Sequence, residues 1–284
     1  MRVYGMTESP EPFGARLAAS VADAGAPVCV GLDPDPSRLP SPFRVDGGTD
    51  VSRLAEAVVE FCIAITDSTH PVVAAYKPNL AFFEALGAPG WRALERVCDA
   101  VRQTGRLLVL DGKRGDIGNT GRRYATALFE QLDGDAATVA PYMGADSVTP
   151  FLGHAGRCAF VLVATSNPGA AELQGLDVGG EPLAHRVARR AQAWAESEPG
   201  ELGFVVGATR PEPLAALRAL APEVPFLIPG VGAQGGSVAD VLAANAGGPL
   251  LVSASRSVLY ASSGPDFADA AARAADALAA DLRS

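Results

Sequence analysis

Eight short apolar runs punctuate the chain at regular intervals, each bounded by turn-forming residues: 27–32, 72–76, 106–110, 136–140, 159–164, 202–206, 226–228 and 250–253. Short runs without polar alternation are the mark of strands buried on both faces. Between them the period lengthens. Leu54, Val58, Phe61 and Ile65 fall on one helical face, as do Leu94, Val97 and Val101, and later Val187, Ala191 and Trp194. That spacing describes amphipathic helices. The Ala-rich stretch 266–282 predicts a closing helix. Strands alternating with helices predict an α/β fold with a parallel sheet, and their number predicts closure into a single (β/α)8 TIM barrel. A doubly wound open sheet is the alternative. No Gly-rich dinucleotide fingerprint follows the first strand, which counts against it.

No linker divides the chain, so residues 1–284 read as one domain, with 1–12 a loosely held lead-in. The Pro-rich stretch 33–46 and the Gly-rich stretch 167–180 both follow strands and are expected to be rim loops. A length of 284 residues, 48% of them hydrophobic, suits one such barrel. The net charge of −9, from 23 basic and 32 acidic residues, argues against nucleic acid or an anionic membrane surface as a partner. It leaves room for a small anion held by a few local donors. Cys29, Cys62, Cys98 and Cys158 each stand alone among apolar neighbours, and His70, His154 and His185 are scattered. Buried thiols are the expectation, with no metal site. The stretch containing Glu8, Pro10, Glu11 and Pro12 lacks the apolar core of a secretory signal, and no run reaches the length of a membrane span. The expected location is the cytoplasm.

In barrels of this kind the chemistry sits at the C-terminal strand ends. Reading those ends in order gives Asp33, Lys77, Asp111 with Lys113, Ser166, Thr209 with Arg210, residues 229–236, and Arg256. Charged and polar groups thus recur at one end of segments that are otherwise apolar. The run Asp111-Gly112-Lys113-Arg114-Gly115-Asp116-Ile117-Gly118-Asn119-Thr120 carries the most information. If its strand continues through Lys113, Asp111 and Lys113 project from the same face. A carboxylate beside an ammonium at the end of a buried strand is costly to desolvate and implies a purpose. A solvated charged turn is the bland alternative. The Gly-rich run Gly230-Val231-Gly232-Ala233-Gln234-Gly235-Gly236 leads into a helix starting near Ser237 and precedes Arg256 by one strand. Backbone N–H groups, a helix N-terminus and a guanidinium together suit a phosphate. An ordinary turn followed by a surface arginine is the competing reading. Lys77 could be a snorkelling surface lysine, and Asp33, Ser166 and Asn167 could be turn formers beside Pro34 and Pro168.

With these motifs in hand, the chain resembles the orotidine 5′-phosphate decarboxylase family, specifically the longer bacterial subgroup of mycobacterial (type 2) enzymes. The resemblance runs from Gly31-Leu32-Asp33-Pro34 to Ser253-Ala254-Ser255-Arg256-Ser257. Tyr76-Lys77-Pro78-Asn79, Ala164-Thr165-Ser166-Asn167-Pro168-Gly169 and the Gly-rich run fall between them in the family's order. It implies a charged array of Lys77, Asp111, Lys113 and Asp116, with Lys113 the proton donor and Asp116 donated across a homodimer interface. It implies ribose contacts from Asp33 and from Thr120 of the second subunit, and a pyrimidine contact from Ser166. Ile117 and Pro229 also line the substrate, while Gln234, Gly235 and Arg256 hold the phosphate. Ser255 departs from the pattern, standing where many relatives have glycine.

The implied reaction converts orotidine 5′-monophosphate to uridine 5′-monophosphate and carbon dioxide without metal or organic cofactor. Lys113 would stabilise the C6 carbanion and protonate it. Three rival readings stay open on sequence alone. They are a Mg²⁺-dependent keto-sugar-phosphate decarboxylase or synthase with the same Asp-x-Lys strand end, a Schiff-base aldolase, and a non-catalytic phosphate-ligand sensor.

Overall fold

Side chains alternate along each strand of the sheet, and the two sets belong to two different cores. The computed structural model describes residues 10–45, 50–232 and 235–283. Among them eight strands pair in parallel: β1 (Val28–Leu32), β2 (Ala75–Pro78), β3 (Leu107–Arg114), β4 (Ala136–Val139), β5 (Cys158–Ala164), β6 (Glu201–Val206), β7 (Phe226–Pro229) and β8 (Leu250–Ala254). The barrel closes where Val28, Cys29 and Val30 of β1 register with Val252, Ser253 and Ala254 of β8. Cys29, Ala75, Val109, Ala136, Phe160 and Leu251 pack in one buried cluster, the barrel interior. Their neighbours Val30, Tyr76, Leu110, Ala137, Val161 and Val252 belong to the other, between the sheet and the surrounding helices. Apolar residues are therefore needed on both faces, which is why the strands read as continuous apolar runs.

The helices meet the expected faces. Val58, Phe61 and Ile65 are buried on Val51–Thr69, and Leu94, Val97 and Val101 on Gly87–Gln103. Ala191 is buried on Leu183–Ala195, and the closing helix is Phe267–Arg283. β2 begins three residues later than the apolar pattern suggested, because Pro71 starts a 3-10 turn over His70–Val72. All four cysteines are buried free thiols. Of the proposed lead-in, residues 1–9 lie outside the described residues, and Pro10, Glu11 and Pro12 are exposed.

A helix at Phe13–Ala24, which the pattern analysis did not assign, closes the N-terminal end of the barrel. Phe13 and Leu17 join the interior cluster, and the Phe13 ring meets Phe160 edge to face at 5.8 Å. The Glu201 carboxylate, at the start of β6, accepts from the backbone N–H groups of Phe13 and Gly14. It thereby caps donors that no turn of helix can satisfy. Arg16 pairs with Asp135 just before β4, and Ser20 Oγ donates to Ala74 O, 2.7 Å away, just before β2. Charge and apolar packing at this end serve closure.

Phe13→Ala should therefore destabilise the fold by about 3–5 kcal/mol, the usual cost of emptying a buried aromatic site. Urea denaturation should give a lower midpoint with an unchanged slope. A loss below about 1 kcal/mol would mean that the helix does not plug the barrel.

Candidate active site

At the opposite end the same alternation delivers polar groups to the interior. Two residues beyond Ala75, Val109, Ala136 and Leu251 come Lys77, Asp111, Thr138 and Ser253. All four are buried, so a polar layer caps the apolar one. Lys77 is 5% exposed and Asp111 7%. Lys77 Nζ donates to Asp111 Oδ2 at 2.7 Å, and Lys113 Nζ donates to Asp111 Oδ1 at 2.7 Å. One carboxylate is thus shared by two ammonium groups, one on each oxygen. Thr138 Oγ1, reaching across from β4, also donates to Asp111 Oδ1 at 2.9 Å.

Lys113 does not continue the regular alternation of β3. The register with β4 shifts between Leu110 and Arg114, and Lys113 adopts φ +46°. That left-handed backbone is unusual for a residue with a long side chain. Its N–H donates to Thr138 Oγ1 at 2.9 Å instead of to the ladder. The bulge turns the Lys113 side chain, half exposed, back over Asp111. Gly115 follows because the chain there runs against β4's exit: an added Cβ would stand 2.7 Å from Ala140 O.

Burial alone would pull the Lys77 ammonium down, but attraction to Asp111 and then Asp33 outweighs it and holds the group above the ordinary lysine range. Burial would push the Asp111 carboxyl up. Lys77 and Lys113 outweigh that, and it lies well below the ordinary carboxylate range. Asp33, immediately after β1, presents a buried Oδ1 with no hydrogen-bond partner among the described residues. Its backbone is framed by Tyr260, whose hydroxyl donates to Asp33 O at 3.0 Å and accepts from Asp35 N at 2.7 Å. A rigidly held, unsatisfied acceptor beside a buried ammonium is poised for a donor from a ligand.

The remaining candidates surround this centre at strand ends. Ser166 follows β5, packed so closely on Gly207 that a Cβ there would lie 2.8 Å from Ser166 N. Gln174 fastens the same loop by accepting from Thr165 N and donating to Thr165 Oγ1, both at 2.8 Å. Pro229 ends β7. The turn after it closes through Gly232 N to Gly236 O at 3.0 Å, and the helix Val238–Asn245 follows, capped by Ser237. Gly235 sits in this turn at φ +87°, and Gln234 lies outside the described residues. Arg256 opens a short helix after β8, exposed and without an ion-pair partner among the described residues.

Asp116, Ile117 and Thr120 are not drawn into the cluster. Asp116 Oδ1 accepts from Ile117 N at 2.8 Å, Ile117 is 54% exposed, and Thr120 is exposed on the helix Gly118–Thr126. Within one chain Asp116 pairs with neither lysine among the described residues. Thr138 and Tyr260 were missed by sequence reading. The visible signal was a lone hydroxyl in the apolar run 136–140, since a buried polar side chain demands a partner. No group of three or more His, Cys, Asp or Glu side chains among the described residues is arranged to hold a metal ion.

Fold and cluster define a (β/α)8 enzyme with a lysine–aspartate–lysine centre on its C-terminal rim. The chain belongs to the Orotidine 5′-phosphate decarboxylase / HUMPS family, whose model matches residues 26–272. It is 48% identical over 266 residues to the orotidine 5′-phosphate decarboxylase of Roseiflexus castenholzii, covering 90% of this chain and 93% of that one. Leishmania donovani OMP decarboxylase superposes with a TM-score of 0.80 at 38% identity, over 96% of this chain and all of that one. The longer UMP synthase of the same organism gives 0.81 at 39% identity, the chain spanning 96% of its own length and 56% of the synthase.

Asp111→Asn should cost about 3–5 kcal/mol at neutral pH, because it leaves Lys77 buried without its main partner. Asp111 is depressed in the folded state, so its contribution is present above the unfolded carboxylate value of about 3.9 and fades as pH falls through the folded one. The gap between wild type and variant should therefore shrink below about pH 4. A gap that widened on acidification would contradict the assignment.

Proposed function

We propose that this chain decarboxylates orotidine 5′-monophosphate to uridine 5′-monophosphate and carbon dioxide, the last step of de novo UMP synthesis. The observation that carries the reading is the Asp111 carboxylate clasped by Lys77 and Lys113 at the barrel rim. Curated relatives at 43–48% identity bearing the name orotidine 5′-phosphate decarboxylase support it.

Cleaving the bond between C6 and the carboxylate sends the electron pair into the ring plane, where the pyrimidine cannot delocalise it. Carbon dioxide leaves and a proton moves from Lys113 Nζ to C6. The charge that meets the carbanion stands in place before substrate arrives, so little reorganisation is needed in the transition state. Asp111 aims Lys113 through its Oδ1, and Lys77 balances Asp111 from the other oxygen. The half-exposed Lys113 recovers its proton from water. We assign the acceleration to these fixed charges rather than to repulsion between Asp111 and the departing carboxylate.

Asp33 Oδ1 accepts from a ribose hydroxyl, Ser166 contacts the pyrimidine, and Ile117 and Pro229 supply apolar walls. Gln234, Gly235 and Arg256 hold the phosphate at the N-terminus of the helix Val238–Asn245. Phosphate binding far from C6 supplies energy for loop closure over the base. Asp116 and Thr120 complete the array from a second copy in a homodimer. Two features support this: Asp116 stays outside its own cluster, and Ile117, Tyr124, Tyr142 and Met143 leave large apolar side chains exposed, Tyr142 to 85%. Residues 1–284 work as one domain. A cytoplasmic location suits this chemistry, and among the described residues no helix is long and apolar enough to cross a membrane.

The decisive measurement is turnover of orotidine 5′-monophosphate, followed by pyrimidine absorbance in the presence of EDTA. Activity should survive chelation, and Lys113→Ala should lower kcat by roughly 10²–10⁴-fold. Loss with EDTA alone, or near-native turnover by Lys113→Ala, would defeat the reading. Sharing of the site has its own test. Lys113→Ala and Asp116→Ala, each inactive alone, should regain activity when mixed and re-equilibrated, because one site of the mixed dimer carries neither defect. No recovery would count against an interface-shared Asp116.

A further inference from the structure

We propose that Thr138 is a positioning residue for the reaction, holding Lys113 and Asp111 in register through a single hydroxyl. This rests on the proposed roles of those two groups. Thr138 is buried in β4 between Ala137 and Val139, both inaccessible to solvent. Its Oγ1 accepts from Lys113 N at 2.9 Å and donates to Asp111 Oδ1 at 2.9 Å. Both contacts cross from one strand to its neighbour, and both land on the reactive centre. A carboxylate can only accept and a backbone N–H can only donate. The hydroxyl proton is therefore committed to Asp111 and the lone pair to Lys113.

The two hydrogen bonds do different work. At the bulge, Lys113 N has left the ladder, and Thr138 is the partner that satisfies it while the residue holds φ +46°. That conformation directs the lysine side chain back to Asp111 rather than outward along the strand. On the other side, the donated proton fixes Asp111 Oδ1, the oxygen that Lys113 Nζ also grips. Only a side chain carrying a donor and an acceptor on one atom can do both. Valine has the same shape and neither function. Serine has both functions and lacks the methyl group.

The test compares Thr138→Val, Thr138→Ala and Thr138→Ser in the full-length protein, with kcat and KM for orotidine 5′-monophosphate measured separately. Thr138 touches no substrate in this scheme, so Val and Ala should lower kcat by about 10- to 100-fold, the scale of a 1 Å misplacement of a catalytic group. KM should change far less, and Ser should keep most of the native kcat. A role confined to methyl packing predicts the reverse order, with Val active and Ser impaired, and that result overturns the proposal. So does a native kcat in both Val and Ala. Lys113→Ala is run alongside. If it is dead while Val and Ala are native, the positioning role alone falls. If it retains turnover, the proposed function fails and this inference falls with it.

Discussion

The Asp111 carboxylate shared between two ammonium groups is the contact on which the catalytic end of this barrel depends. Neither the Lys77 nor the Asp111 charge is tenable alone at that depth. A buried lysine without a partner sheds its proton, and a buried aspartate without one takes a proton up. Together they hold each other ionised: Lys77 stays above its ordinary range and Asp111 below its own. Removing water from such a cluster is expensive, and the cost is met by folding rather than at the moment of reaction. The outcome is a cation whose position is set by strands and not by a flexible loop. Lys77 and Asp111 project from neighbouring strands of a closed sheet, which cannot shift without breaking the barrel.

The two ends of the barrel treat their polar groups in opposite ways. At the N-terminal end the part-buried and buried charges find protein partners. Glu201 caps the first helix, and Arg16 pairs with Asp135. The buried Arg218 donates to Asn245 and to the carbonyls of Ala221, Pro222, Val224 and Pro249. Burial draws that guanidinium down to about 10, with Glu223 opposing, yet its donors are used on neutral oxygens. At the C-terminal end Asp33 Oδ1 has no partner and Arg256 no counter-ion among the described residues. Stability is concentrated where the chain must close, and unsatisfied capacity where a ligand must bind. This polarity is general to the fold, and here it is written residue by residue.

Most strands were legible because a parallel sheet covered on both faces demands uninterrupted apolar runs. The start of β2 was misjudged only where Pro71 imposes a turn. The helix at Phe13–Ala24 escaped because its stripe of Phe13, Leu17 and Val21 is short and faces a barrel end, a partner that periodicity does not reveal. Lys77, Asp111 and Lys113 were legible as polar groups at strand ends. Alternation anticipated Asp111 beside Lys113, and the family resemblance added Lys77, whereas Lys113 in fact reaches Asp111 through a bulge and a left-handed backbone. Thr138 and Tyr260 act through residues distant in sequence, Tyr260 more than two hundred positions from Asp33. No local pattern encodes such a pairing. Asp116 presents the converse case: its motif is plain in the sequence, but one chain does not bring it to the lysines.

The packing of Ser255 beside β1 can be understood sterically. Its φ of −113° lies in territory open to any residue, so no backbone conformation there requires glycine. What a side chain at 255 needs is room, and that room comes from β1. A Cβ added to Gly31 would stand 2.0 Å from Ser255 Oγ. Glycine at position 31 therefore makes space for serine at 255, across the β1–β8 seam where the barrel closes. The next residue, Arg256, starts its helix undisturbed, and Tyr260 at the end of that helix still reaches back to Asp33. One neighbouring glycine thus makes room for Ser255 between the Arg256 guanidinium and the frame around Asp33.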